Sequence, residues 1–167
     1  MISPEYCVEM ARYNQWQNQQ MQRAFEQLSD EELRKDRGAF FGSIFETANH
    51  LLWGDWLWIA RFDGGRAPEA GPIAQSTQMT SSLAEWSTER FKLDARITRW
   101  AKGVSHIDLN GSVTWQSLAL GREVSKPKGV CVVHLFNHQT HHRGQIHGML
   151  SAAGVDPPVS DVPFMPE

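Results

Sequence analysis

His134-Leu-Phe-Asn-His138-Gln-Thr-His141-His142-Arg-Gly-Gln-Ile-His147 holds five of the chain's seven histidines. Wound as an α-helix at about 100° per residue, the stretch does not scatter them evenly. With His134 at zero, His138 falls near 40° and His142 near 80°, whereas His141 sits near −20° and His147 near 220°, all about as an ideal helix places them. The apolar Cys131, Leu135, Ile146, Met149 and Leu150 gather between about 60° and 160° on the same wheel. His138 and His142 therefore lean toward the buried side, His134 and His141 lie at its edge, and His147 points away. Two imidazoles one turn apart on a half-buried face can share one metal ion, because their rings project to the same side. The zincin pattern is absent, since no Glu follows the first His. The competing reading is a set of core histidines whose ring nitrogens are satisfied by the protein. A third ligand elsewhere in the chain would decide for metal.

Working toward the N-terminus, Ser43 to about Arg61 reads as a helix that is apolar nearly all round and so buried on most sides. His50 lies inside it, with Trp53, Gly54 and Leu57 following along the same side. A buried ring left unsatisfied costs on the order of 1–3 kcal/mol, so His50 needs a partner. A carbonyl, the neighbouring Asn49, or a metal shared with His138 and His142 would each serve.

The first helix starts at Ser3-Pro4-Glu5, with Ser3 as N-cap and Pro4 at the first helical position, and runs to about Gln27. Tyr6, Met10, Tyr13, Trp16, Met21 and Phe25 mark its apolar face, and the amides of Asn14, Gln15, Gln17, Asn18, Gln19 and Gln20 cover the other. Leu28 to Leu33 is a loop closing with a short helical turn. Asp63 to about Gln78 is rich in Gly, Pro and Ala and reads as a long crossing loop. A third helix spans about Ser81 to Lys102, with Leu83, Trp86, Phe91, Ile97 and Trp100 at helical intervals. Between Ile107 and about Lys126 the turn signals Asn110-Gly111 and Gly121-Arg-Glu-Val enclose an alternating run, which predicts a small hairpin before the histidine helix. That last helix ends near Ala153-Gly154 with the glycine as cap. The extended tail beyond it offers Val162 and Phe164 for packing.

These elements predict one all-α domain over 1–167, a four-helix bundle with a long crossover. Bundles of this kind build metal sites from side chains on facing helices, and His50, His138 and His142 supply such a set. A chain of 167 residues with 41% hydrophobic content is large enough for a packed core. A net charge of −3 with dispersed Lys and Arg leaves no nucleic-acid footprint. Cys7 and Cys131 lie in apolar segments without CxxC spacing, as free thiols in a reducing compartment do. No signal peptide and no membrane-length apolar run is read, so a soluble cytoplasmic protein is expected.

Ala48-Asn-His50-Leu-Leu-Trp-Gly-Asp55 with Trp56 and Trp58, together with Asn137-His138-Gln-Thr-His141-His142-Arg143-Gly144-Gln145, resembles the DinB/YfiT-like superfamily of metal-dependent bacterial proteins, which is unrelated to the DNA polymerase of similar name. The resemblance covers nearly the whole chain and extends to the Pro157–Phe164 segment. It implies a four-helix bundle of up-down-down-up type. It also implies a divalent metal, zinc or nickel, on three histidines, which carry over position by position to His50, His138 and His142. It implies a homodimer and a small-molecule substrate, with low-molecular-weight thiols used by some members for S-transfer or maleylpyruvate isomerisation and hydrolysis attributed to others. The reading that follows is a metal-dependent thiol S-transferase or hydrolase. The alternative is a stress-associated metal- or ligand-binding protein without turnover. His134, His141 and Asp161 are the candidate proton carriers. Arg143 either holds an anionic substrate group or salt-bridges Asp55 or Asp161. Asn49 and Asn137 are candidate acceptors for the ligand rings, and Gly144 is read as a site of close helix packing.

Overall fold

The computed structural model describes residues 1–68, 73–118 and 120–167, apart from the side chain of Ala74. Helix α1 (Pro4–Phe25) opens on Ser3, whose hydroxyl accepts the Tyr6 N–H at 3.3 Å. A short α2 (Asp30–Arg34) follows. Helix α3 (Ile44–Asp63) begins at Ser43, which accepts from Glu46 N–H, and stops at Gly64 in the left-handed conformation. The crossing loop leads, beyond positions 69–72 that lie outside the described residues, into a 3-10 turn (Ile73–Gln78). Helix α4 (Leu83–Gly103) and a short α5 (His106–Asn110) come next. Strands β1 (Ser112–Ser117) and β2 (Arg122–Pro127) pair antiparallel, with Ser112 opposite Pro127 and Ser117 opposite Arg122. Helix α6 (Lys128–Ala152) runs directly out of β2. The fold is mostly helical with one small two-stranded sheet.

The four long helices α1, α3, α4 and α6 pack in a closed ring of neighbours: α1 on α4, α4 on α3, α3 on α6, and α6 on α1. Their buried faces meet in one apolar core that includes Phe25, Phe45, Leu52, Trp86, Ile97, Leu135, Phe136 and Leu150. The hairpin tucks Val113 and Val124 inward against α3 and α6. Gly154, with φ of 76°, ends α6 as its helical pattern predicts, and Val155 N–H returns to the Leu150 carbonyl at 3.1 Å. No helix of the described residues is long and apolar enough to cross a membrane. Cys7 and Cys131 are free and buried.

Several expectations are corrected. The approach to the hairpin is not turn but α5, opened by a reciprocal Ser105–Asp108 capping box. On α4, Phe91 is 69% exposed, and the inward line instead runs Trp86, Arg90, Leu93, Asp94, Ile97 and Ala101. The amides of α1 do not all face solvent, for Asn14, Gln17 and Asn18 are buried. Asn18 of α1 joins Arg90 and Asp94 of α4 and Asp55 of α3 in one polar seam through the core. Arg90 bridges Asp55 at 2.7 Å and Asp94 at 2.8 Å, and Asn18 donates to Asp94 at 2.9 Å. Burial pushes the Asp94 carboxyl up to about 6, against the pull of Arg90, and raises Asp55 as well. In the tail, Val162 and Phe164 stay exposed, because α1 holds this segment by its backbone. Tyr13 Oη donates to the Ser160 carbonyl at 2.6 Å, Gln17 and Gln20 donate to the Val159 carbonyl, and Arg12 donates to that of Pro166.

Candidate metal centre

The pairing of α3 with α6 brings His50 against His138 and His142. The His138 Nε2 lies 3.2 Å from that of His50 and 3.1 Å from that of His142. One ligand atom from each of the three falls within 4.8 Å of the others. His138 and His142 reach this point together because they stand one turn apart on α6.

Hydrogen placement follows from the neighbours. The Ser76 hydroxyl donates to the Ile73 carbonyl at 2.5 Å, so toward His50 Nδ1, at 2.7 Å, its oxygen accepts. His50 therefore carries its proton on Nδ1 and a lone pair on Nε2. The Gln145 amide nitrogen faces His141 Nε2 at 3.3 Å, which turns the amide oxygen to accept from His142 Nδ1–H at 2.8 Å. His142 likewise presents a lone pair at Nε2. His138 can bring one hydrogen to this meeting point at most, and its buried Nδ1 has no partner among the described residues. Its ring rests where Gly54 has no side chain, since a Cβ there would come within 2.8 Å of His138 Cε1. Three nitrogen donors that outnumber the hydrogens between them fit a shared divalent cation better than a hydrogen-bonded triad. Two of the rings already have the fixed outer acceptor that metal-bound histidines use.

The electrostatics favour the ligand form. Burial, reinforced by neighbouring His142, brings His50 down to about 4. Burial and the surrounding histidines bring His138 down to about 3. His142 is lowered by burial, with Gln145 opposing. All three are neutral imidazoles at neutral pH, as coordination requires. The Phe41 ring stacks on His50 with centroids 4.1 Å apart and lies 5.6 Å from His142. Trp53 also stacks on His50, at 6.0 Å.

The remaining sequence candidates are distributed differently. His134 is exposed, edge-on to Trp58 at 5.0 Å and 5.7 Å from the His138 ring. His141 is exposed beside His142, with ring centroids 4.8 Å apart. Arg143 turns away into the core. It forms no ion pair with Asp55, which belongs to Arg90, nor with Asp161; it donates to Asn14 Oδ1 and, at 3.4 Å, to Thr140. Asp161 is exposed in the tail and no hydrogen bond or ion pair joins its side chain to the histidines. Asn49 holds the crossing loop, accepting from the Thr80 N–H and hydroxyl at 2.8 Å, and Asn137 is exposed. Gly144 has nothing within 4 Å of an added Cβ, so it is not a close-packing point. Ser76, Gln145, Gly54 and Phe41 are the supports that sequence reasoning did not assign. Of these only Gln145, three residues after His142, carried a local signal.

The family model described as the DinB family matches residues 1–167. Protein DinB of Bacillus subtilis (strain 168) is 25% identical over 153 residues, covering 90% of this chain and 87% of that protein. The crystal structure of a DinB-like protein from Bacillus cereus ATCC 10987 is similar with a TM-score of 0.64 at 19% identity, covering 86% of this chain and 90% of that one. At that identity the likeness is one of fold. With the family model spanning the whole chain, this protein belongs to the DinB family.

Proposed function

We propose that His50, His138 and His142 bind one divalent ion, zinc or nickel, and that the protein is a metal-dependent enzyme acting on a small molecule. The carrying observation is the convergence of three Nε2 atoms while the other nitrogens of His50 and His142 are committed to Ser76 and Gln145. An ion held by three neutral nitrogens would supply Lewis acidity with a coordination position left for substrate. The chain's own residues would do the rest. Ser76 and Gln145 fix the ligand rings, and Phe41 and Trp53 narrow the approach of water. Exposed His134 and His141 stand at the rim as proton carriers. A thiol-dependent S-transferase or a hydrolase fits best, because either needs a thiolate or a polarised oxygen beside such a centre. We read the four long helices as an up-down-down-up bundle in a cytoplasmic homodimer, for which light scattering should give twice the 19.0 kDa chain mass.

The alternative, a metal- or ligand-binding protein without turnover, draws support from Arg143 and Asp161 lying outside the histidine group. The test is metal content by plasma mass spectrometry on untagged protein, with His138→Ala beside it. Near-stoichiometric metal lost in the variant is the expected result. No metal after incubation with zinc, nickel and manganese would overturn the reading. Thiol-transfer and hydrolysis screens on the loaded protein, with His134→Ala and His141→Ala, then separate enzyme from binder: a rate falling about 10²-fold or more marks an acid–base group.

A further inference from the structure

Farther round α6 from the ligand pair, at the edge of the apolar seam marked by Ile146 and Leu150, a cavity of about 270 Å³ opens between α1, α6 and the tail. Met21, Ile146 and Leu150 form its apolar wall, Tyr13 and Arg143 its polar end, and Gly144 leaves one side open. Arg143 is only 6% exposed, and among the described residues no carboxylate lies within ion-pair distance of it. Its partners are neutral: Asn14, Thr140 and the face of Tyr13 at 5.3 Å. The two carboxylates deeper in the core, Asp55 and Asp94, are both bridged directly by Arg90. A guanidinium buried without a direct anion is costly, and buried charges are ordinarily paired. Arg143 lines this cavity, and the tail borders it at Pro158 and Ser160, its backbone tied down through Ser160 and Val159.

We propose that this cavity is a second binding site, separate from the histidine centre, for a small organic carboxylate: an anionic head on Arg143 and a short hydrocarbon or aromatic body against Met21, Ile146 and Leu150. The planar fork of Arg143 matches a carboxylate, and the volume suits a body of several carbons rather than an inorganic ion.

The probes are hexanoate and phenylacetate, each beside the alcohol of the same skeleton, titrated calorimetrically into the full chain. Carboxylate binding at least tenfold tighter than that of the matched alcohol is expected. Gly144→Leu projects a side chain into open space and should fill the cavity without disturbing the fold, abolishing carboxylate binding while metal content stays at the wild-type level. Arg143→Met should erase the preference for acid over alcohol. Equal binding of acid and alcohol, no binding of either, or carboxylate binding that survives Gly144→Leu would each overturn the proposal. Because metal content is read in the same variants, failure here is distinguishable from failure of the histidine centre.

Discussion

The ring of His138 occupies the space that any side chain on Gly54 would fill. Glycine costs a mid-helix position roughly 0.5–1 kcal/mol relative to alanine, so a swap to Ala would ordinarily help α3. At this position the clash at 2.8 Å reverses the expectation, since the neighbour is a ring pinned between helices. Gly54→Ala should displace His138 and weaken metal binding about 10–100-fold, the usual cost of disturbing a ligand's support, read by competition with a chromophoric chelator. Ser76→Ala leaves the His50 Nδ1–H without its acceptor and should cost a similar factor, with helix content by circular dichroism unchanged. A full-affinity Ser76→Ala protein would mean that the serine merely fills space. Neither residue is legible from spacing alone. His138 and His142 announce themselves through the helical period, and His50 through its oddity in an apolar helix. Ser76 lies 26 residues from His50 in the 3-10 turn that follows the crossing loop, and only the tertiary path of that segment makes it a partner.

At the scale of elements, α4 separates what periodicity reveals from what it hides. Its large apolar residues point to a helix and to its length. Counting hydrophobes then places Phe91 inside and treats Arg90 and Asp94 as solvated, whereas packing does the reverse. Two charged residues four apart on a buried face are legible only once Asp55 arrives from α3. Removing Arg90 strands two buried carboxylates, so Arg90→Met should lower unfolding free energy by about 3–5 kcal/mol in urea titration. Phe91→Ser on the adjacent position should stay within about 0.5 kcal/mol of wild type. Equal effects would mean that α4 presents a different face to the core. The hairpin was readable because Gly121, with φ of 61°, stands at its turn between two alternating runs. The short α5 was not, since its five residues lack a full apolar period.

For the whole molecule, the depressed affinities of His50 and His138 for protons would set how acid releases the proposed ion. A proton competes with the ion only when pH approaches the ring's own pKa. An unperturbed histidine near 6.5 would begin to yield in mildly acidic buffer. With His50 at about 4 and His138 at about 3, occupancy should hold through pH 6 and be lost only toward pH 4, followed by metal release against pH. Release centred near pH 6.5 would show that these rings are more hydrated than their packing implies. Because the three candidate ligands come from helices far apart in sequence, the proposed ion would bind the folded chain and not the unfolded one. Free ion at about 100 times its dissociation constant should therefore raise stability by about 2.7 kcal/mol, visible as a higher melting temperature than in chelator.

Among the described residues, the hydrogen bonds that α1 makes to the tail running over it all go to the tail's main chain. Arg12, Tyr13, Gln17 and Gln20 all reach for carbonyl oxygens, which every amino acid supplies, proline included. The lettering of residues 159–166 is thereby released from the task of staying attached, while the four donors on α1 are not. Replacing tail side chains one by one leaves the belt fastened; deleting two donors on α1 lets it go.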